Sequence, residues 1–426
     1  MLGFWQFVYR FGVVPALAAL FWLLGLVNRK VRRGINGRKH LFENLERQIP
    51  RLPAGKRVWF HSSSLGEFEQ AKPIIAELRH RLPGVVIVVT FFSPSGYEHS
   101  RKYQLAHVIS YLPFDTHRNA SRFLDLVRPD VAVMVRYDIW PNHIWELRRR
   151  GIPTLIANAT MRRQTNRRLP IARSFHHYVY DAISRILTVS QNDVEAFGFF
   201  HLRHPVIEAV GDTRFDQVTI RSSEARKKQI IAPAITEGKK ILVVGSSWPE
   251  DEQVILPALF HLQSRIPDLL CIIAPHEPTL DHLEELEDEL AGNATSIRFS
   301  ALNSYSGERI IIVDSIGILL ALYGYAHVAY VGGSFRQGIH NVLEAAVYGI
   351  PVVFGPKHRN SQEPLMLVGR GGAFVVTNTE EVERTLENLL THEPSRRTAG
   401  ERAAQFVCSN LGATQKVIAV LEPHLQ

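Results

Sequence analysis

"RVWFHSSSLGEFEQAKPIIAELRHRLPGVVIVVTFF", residues 57–92, decides the fold. It opens on a short apolar run, RVWFHSS, crosses a stretch of helical spacing over 68–82, and returns to a second apolar run, GVVIVVTFF. Both runs are continuously apolar rather than alternating, the pattern of strands covered on both faces, and a helix between two of them makes a βαβ unit with parallel strands. Working outward, the alternation continues through 95–105, VISYLPF, 117–128, DVAVMV, 142–150 and PTLIANA. It then restarts with KKILVVGSS, LLCIIAPHE, ERIIIVDS, HVAYVGGSF and IPVVFGP, between about 239 and 355. Two α/β domains in tandem fit this restart better than one very wide sheet. A chain of 426 residues, 46% of them hydrophobic, is long and apolar enough for two cores. The expected segments are 1–40 (anchor and basic linker), 41–205 and 206–400 (two Rossmann-like domains), and 401–426, a helical tail crossing back to the first domain.

The net charge of +8 is concentrated in one place. NRKVRRGINGRKH, residues 28–40, carries Arg29, Lys30, Arg32, Arg33, Arg38 and Lys39 and no acid. Just before it, FGVVPALAALFWLLGLV, residues 11–27, has no charge, and the apolar character reaches back through Phe4, Trp5, Phe7 and Val8, broken by Arg10. Such a stretch is close to the ~20 residues that cross a bilayer. A secretory signal peptide would place its basic region first, and here the order is reversed. A buried core helix is the bland account, but Trp5, Tyr9 and Trp22 stand where interfacial anchors belong. A membrane anchor is expected, with the basic run on the cytoplasmic side against anionic lipid and no nucleic-acid partner. Pro15 and Arg10 leave open whether it spans or lies in one leaflet. Cys271 and Cys408 lie far apart and form no metal-ligand spacing, which suits a reducing compartment.

In open parallel sheets ligands bind beyond the carboxyl ends of the strands, so the loops after the strands are where chemistry is expected. HSSSLGEFEQ, residues 61–70, places Glu67 three residues after Ser64. That is the spacing of a capping box, and by spacing alone a cap accounts for Glu67 at least as well as a catalytic base. VRYDIWPN, 135–142, puts Asp138 after a strand, as a turn residue or a site acid, and TFFSPSGYE, 90–98, supplies Thr90, Ser93, Ser95 and Gly96 at a possible anion-receiving helix start. VVGSSWPEDE, 243–252, leaves a strand through Gly245, Ser246 and Ser247 into a helix with acids in its first turn; it offers either an anion site or ordinary capping by a serine. In YVGGSFRQGIHNVLEAAVYGIPVVFGPKHRNSQEP, 330–364, Gly332 and Gly333 permit close backbone approach. Ser334, Gly338, His340 and Asn341 precede a helix bearing Glu344, and Asn360 and Glu363 follow the next strand. Donors for phosphate and an acceptor for ribose are what a nucleotide ligand needs; turn punctuation and a solvated acid are the bland alternative.

Taken in order, HSSSLGE, TFFSPSGYE, YDIWPN, IPTLIANATM, GSSWPEDE, IAPHEP, VGGSF…GIHNVLEAA…GIPVVFGP and NSQE resemble the Kdo (3-deoxy-D-manno-octulosonic acid) transferases of glycosyltransferase family 30, in a divergent branch. The resemblance implies a GT-B fold, two Rossmann-like domains facing a cleft, with an N-terminal membrane-anchor helix. It implies an inverting enzyme that moves Kdo from CMP-Kdo to a lipid A precursor at the cytoplasmic face of the inner membrane, with no cofactor and no metal. It makes 41–205 the acceptor domain and 206–400 the CMP-sugar domain. By position, Glu67 matches the family's general base, with Asp138 as a second catalytic acid. Gly245, Ser246 and Ser247 match the phosphate loop, and Gly332, Gly333, Ser334, His340, Asn341, Glu344, Asn360 and Glu363 the CMP segment. The sequence departs at Arg136-Tyr137-Asp138, where the family has Glu-Thr-Glu, and at His276-Glu277-Pro278-Thr279, which replaces a more basic segment and leaves His276 for the phosphate. It departs again at Gly338-Ile339-His340-Asn341, where two glycines are usual. A UDP-sugar transferase and a sugar-nucleotide epimerase of the same architecture are the alternatives.

Overall fold

A computed structural model describes residues 2–162 and 164–426; Met1, the first residue of the expected anchor segment, and Arg163 lie outside the described residues. The chain divides into two compact units, one of residues 1–217 with 411–426 and one of residues 218–410.

The first unit holds seven parallel strands, β1 (Arg57–Ser62), β2 (Val86–Phe91), β3 (Val108–Tyr111), β4 (Val131–Val135), β5 (Thr154–Ala159), β6 (Arg185–Thr188) and β7 (Val206–Ala209), in the order β3-β2-β1-β4-β5-β6-β7. Every residue of β2, β4 and β5 is buried, as helices on both faces require. Between β1 and β2 runs the helix Leu65–Arg81, whose Phe68, Ala71, Ile74, Ile75 and Leu78 pack with Val58 and Phe60 of β1. Strands β6 and β7 escape the apolar pattern because they are short and lie toward one edge. Since β7 pairs with β6, the expected boundary at 206 moves to 217/218. The tail likewise returns later than 401: Glu393–Cys408 stays with the second unit, and only 411–426 joins the first. There Val417, Ile418 and Leu421 of helix Ala413–Leu421 enter the same core as β1, while Asp216 accepts from the N–H groups of Gly412 (2.8 Å) and Thr414 (2.7 Å).

The second unit holds β8 (Lys240–Ser247), β9 (Leu269–Pro275), β10 (Ser296–Arg298), β11 (Ile310–Ile312), β12 (Val328–Val331), β13 (Val352–Phe354) and β14 (Ala373–Val375), parallel in the order β10-β11-β9-β8-β12-β13-β14. Both sheets reverse their winding beside their first strand, at β1/β4 and at β8/β12. These are the topological switch points where open α/β sheets receive ligands.

The N-terminal helix Leu2–Val27 is long and apolar enough to cross a membrane by length and composition. The basic run that follows is less free than its sequence suggests. Arg38 is drawn into the first unit, donating to the carbonyls of Leu112 (2.8 Å), Gly34 (2.8 Å) and Phe92 (2.7 Å), and burial lowers its pKa to about 10. Arg32 donates to Gly25 O at 2.8 Å, and Arg33 pairs with Glu98 at 3.4 Å, leaving Arg29, Lys30 and Lys39 fully outward.

Candidate active site

At the β1/β4 switch point, Glu67 does form the capping box: Ser64 Oγ accepts from Glu67 N–H at 3.4 Å. Its Oε2 accepts from the N–H groups of Ser63 (2.7 Å) and Ser64 (3.1 Å). A carboxylate has two oxygens, however, and Oε1 has no hydrogen-bond partner among the described residues, nor is it among the sealed atoms lacking one. Cap and open acceptor are thus the same side chain. Glu67 is 6% exposed, and its pKa is raised, first by that burial and then by the charge of Asp138, against the pull of the two backbone donors and His61.

The neighbour that the sequence did not single out is His61. It is the last but one residue of β1, fully buried, with Nε2 2.7 Å from Asp138 Oδ2 and Nδ1 2.9 Å from Thr90 Oγ1. Thr90 Oγ1 also accepts from Trp59 Nε1 at 2.8 Å, and the ionised Asp138 carboxylate, which can only accept, takes the Nε2–H of His61. Trp140 Nε1 donates to the same Asp138 oxygen at 3.3 Å. Burial pushes the Asp138 carboxyl up, but the hydrogen bond and charge of His61, with those of Ser63 and Trp140, outweigh it and hold Asp138 below the usual carboxylate range. The two acids therefore titrate apart, the arrangement that separates a base from a fixed negative charge. The expected anion site at 93–96 is used otherwise, since Ser93 Oγ caps its own helix by accepting from Gly96 N–H at 3.1 Å.

At the β8/β12 switch point the predicted residues converge on a glycine shelf. A Cβ on Gly245 would meet Tyr323 Oη at 2.1 Å, and one on Gly332 would meet Ser246 O at 2.3 Å. Gly333 adopts φ +91°, and a Cβ there would meet Gly338 O and the His340 ring. Ser246 itself has φ +54°; among the described residues Arg136 (φ +66°) and Asn158 (φ +54°) occupy the same left-handed region at the end of β4 and within β5, as do Arg128 (φ +47°) and His201 (φ +49°) just after helices. Strain of this kind gathers at functional loops.

Several polar groups expected to face a ligand hold the shelf together instead. Ser247 Oγ is buried and donates to Glu252 at 2.6 Å, and Ser334 Oγ is buried and accepts from Gly355 N–H at 2.6 Å. The helix Pro249–Arg265 is capped by neither serine. Asp251 reaches back to Trp248 N–H (3.1 Å) and also takes Gly333 N–H (2.7 Å) and Tyr330 Oη (3.0 Å), so part of the N-terminal field is spent inside the protein.

What remains open is an aromatic stack. The rings of His276 and His340 lie 4.2 Å apart and nearly parallel, Trp248 lies 4.7 Å from His276, and the Arg336 guanidinium sits 3.9 Å over Trp248. His340 accepts from Trp248 Nε1 at 2.9 Å, and burial with the nearby His276 lowers its pKa to about 4. His340 is thus neutral near pH 7, and His276 is the exposed ring of the pair. Asn341 is exposed and caps the four-residue helix Leu343–Ala346, accepting from Leu343 N–H at 3.2 Å. Glu344 lies in that helix 3.5 Å from Arg221. Asn360 packs under Gly338 and donates to Ile339 O at 3.3 Å, while Glu363 is buried in the first turn of helix Gln362–Gly369 and accepts from Ser361.

Residues 35–217 match the family model described as 3-deoxy-D-manno-octulosonic-acid transferase (kdotransferase). The chain is 26% identical to the 3-deoxy-D-manno-octulosonic acid transferase of Haemophilus influenzae over 99% of both chains. It is 27% identical to that of Chlamydophila psittaci over 91% of this chain and 90% of the relative. Among solved structures it is similar to the UDP-GlcNAc 2-epimerase from Neisseria meningitidis bound to UDP-GlcNAc, with a TM-score of 0.61 at 14% identity, covering 86% of this chain and all of that one. That likeness is of fold alone, a GT-B-like pair of doubly wound sheets.

Proposed function

We infer that this chain, a member of the Kdo transferase family, transfers Kdo from CMP-Kdo to the lipid A precursor in lipopolysaccharide biosynthesis. The observation that carries the reading is that the family's motifs stand at the switch points of both sheets, an acid pair at β1/β4 and a glycine shelf at β8/β12. The acceptor hydroxyl gives its proton to Glu67 Oε1 as its oxygen bonds to the anomeric carbon of Kdo; the bond from that carbon to the phosphate oxygen breaks, and CMP departs with the electron pair. A single displacement of this kind inverts the anomeric centre. Burial, and then the charge of Asp138 that His61 holds ionised, raise the pKa of Glu67, the direction that suits a general base. The charge developing on the departing phosphate falls to the shelf's backbone and to His276, in place of the basic segment usual in the family. Glu344 is the acceptor for ribose. The apolar helix Leu2–Val27 keeps the enzyme at the cytoplasmic face of the inner membrane, beside its lipid acceptor.

The test is release of CMP from CMP-Kdo with and without tetraacylated lipid A precursor, with products counted by mass. Release that needs the acceptor and adds the mass of Kdo is expected. Inhibition by UDP rather than CMP would favour a UDP-sugar transferase of the same architecture.

A further inference from the structure

The helix Leu2–Val27 is attached to the first unit along its length rather than at one end. Trp5 Nε1 donates to Ser174 Oγ at 3.0 Å, and Arg10 Nε donates to Asn142 Oδ1 at 3.0 Å. Tyr9, 4% exposed, donates a hydrogen bond from its hydroxyl to the buried carboxylate of Asp115 at 2.8 Å. Further on, Phe21 packs edge-on against Phe92 and Phe114, both at 5.5 Å. Residues 5 to 21 occupy about 24 Å of helix axis. A helix crossing the hydrocarbon core would have to break these contacts or carry Asp115, Asn142 and Arg10 into lipid, where charged and polar groups are expelled. The opposite face, with Phe4, Phe7, Phe11, Leu20 and Trp22, is outward and apolar.

Beside the start of this helix lies a second outward apolar feature. Leu169 and Ile171, at the N-terminus of helix Pro170–Tyr180, are 60% and 76% exposed, and with Pro170 they share an apolar hollow with Trp5, Val8 and Val13. Arg162, Arg167, Arg168 and Arg173 flank this segment in sequence, Arg167 donating to Tyr180 Oη and Arg168 and Arg173 lying over Phe199, and the sequence has no acid between 160 and 180. An apolar tip fringed by arginine, continuous with an apolar helix face, matches the boundary between acyl chains and anionic headgroups.

We propose that the chain is monotopic: Leu2–Val27 lies lengthwise in one leaflet, and the Leu169–Ile171 tip inserts beside it as a second anchor. The proposal rests on the reading that the enzyme works at a membrane. It is tested in the full chain by spin labels on single cysteines at Phe7→Cys, Phe11→Cys, Trp22→Cys and Ile171→Cys, with Ser395→Cys as an exposed control, in a Cys408→Ser background. Collision with oxygen and with a water-soluble nickel chelate reports depth in phosphatidylethanolamine/phosphatidylglycerol vesicles. Labels at 7, 11, 22 and 171 should sit at similar shallow depth, with 395 aqueous. A depth that rises to the bilayer centre along 7–22 overturns the lengthwise placement, and an aqueous label at 171 beside inserted ones overturns the second anchor. If every label stays aqueous, membrane attachment itself fails and this proposal with it. Leu169→Asp with Ile171→Asp should weaken vesicle binding at least tenfold while leaving the thermal melt unchanged, since both side chains are exposed; unchanged binding counts against the tip.

Discussion

The cap observed at Glu67 and the base proposed for it share one side chain, and substitutions can part them. In Glu67→Gln the amide oxygen still accepts from Ser63 and Ser64 but takes no proton. Turnover should fall roughly 100-fold or more with the melt nearly unchanged, whereas Glu67→Ala should also lose about 1 kcal/mol of helix capping in a denaturant titration. The pH dependence has a definite sign. As the proposed base Glu67 would act when ionised, and its pKa is raised, so activity should fall as pH drops through that raised value, and the acid limb should vanish in Glu67→Gln. Asp138→Asn removes one of the charges that lift Glu67, so the limb of the kcat/KM profile should move to lower pH; a limb unmoved would detach Asp138 from the base. In the second unit Gly245→Ala sets a methyl group against Tyr323 Oη, and should weaken CMP binding by calorimetry, with partial rescue by Tyr323→Phe, which removes the nearest atom.

At the scale of elements, each sheet depends on a connection distant in sequence. Asp251, at the start of Pro249–Arg265, is the common acceptor for Gly333 N–H, Trp248 N–H and Tyr330 Oη, so it ties the end of β12 to the start of a helix about eighty residues earlier. Asp251→Ala leaves buried donors unpaired and should lower stability by roughly 2–3 kcal/mol, read by denaturant titration, and loosen donor binding with it. The returning helix Ala413–Leu421 closes the core of the first unit, with Leu421 fully buried. Leu421→Ala should destabilise by about 2–5 kcal/mol in the melt of that unit. If the tail were an appendage the loss would be negligible.

At the scale of the whole molecule, the N-terminal helix is built into the first unit. Deleting residues 2–27 strips Asp115 of the Tyr9 hydroxyl and uncovers Trp145 and Phe175, so the truncated chain should melt lower in detergent than the full chain. A detachable anchor would leave the melt unchanged. The sequence by itself determined the tandem of parallel sheets, because strands covered on both faces are continuously apolar, and it located the glycine shelf and Glu67, because exits from such strands are where turn residues and acids collect. It could not reveal that β7 belongs to the first sheet or that Arg38 is half-buried against three carbonyls, since neither pairing nor partial burial of a lone cation leaves a local pattern. Nor could it separate cap from base at Glu67. Only the tertiary structure links Thr90, His61 and Asp138, from three different strands or strand exits, beside Glu67, where burial and the Asp138 charge raise the Glu67 pKa while hydrogen bonds and the charge of His61 hold Asp138 low.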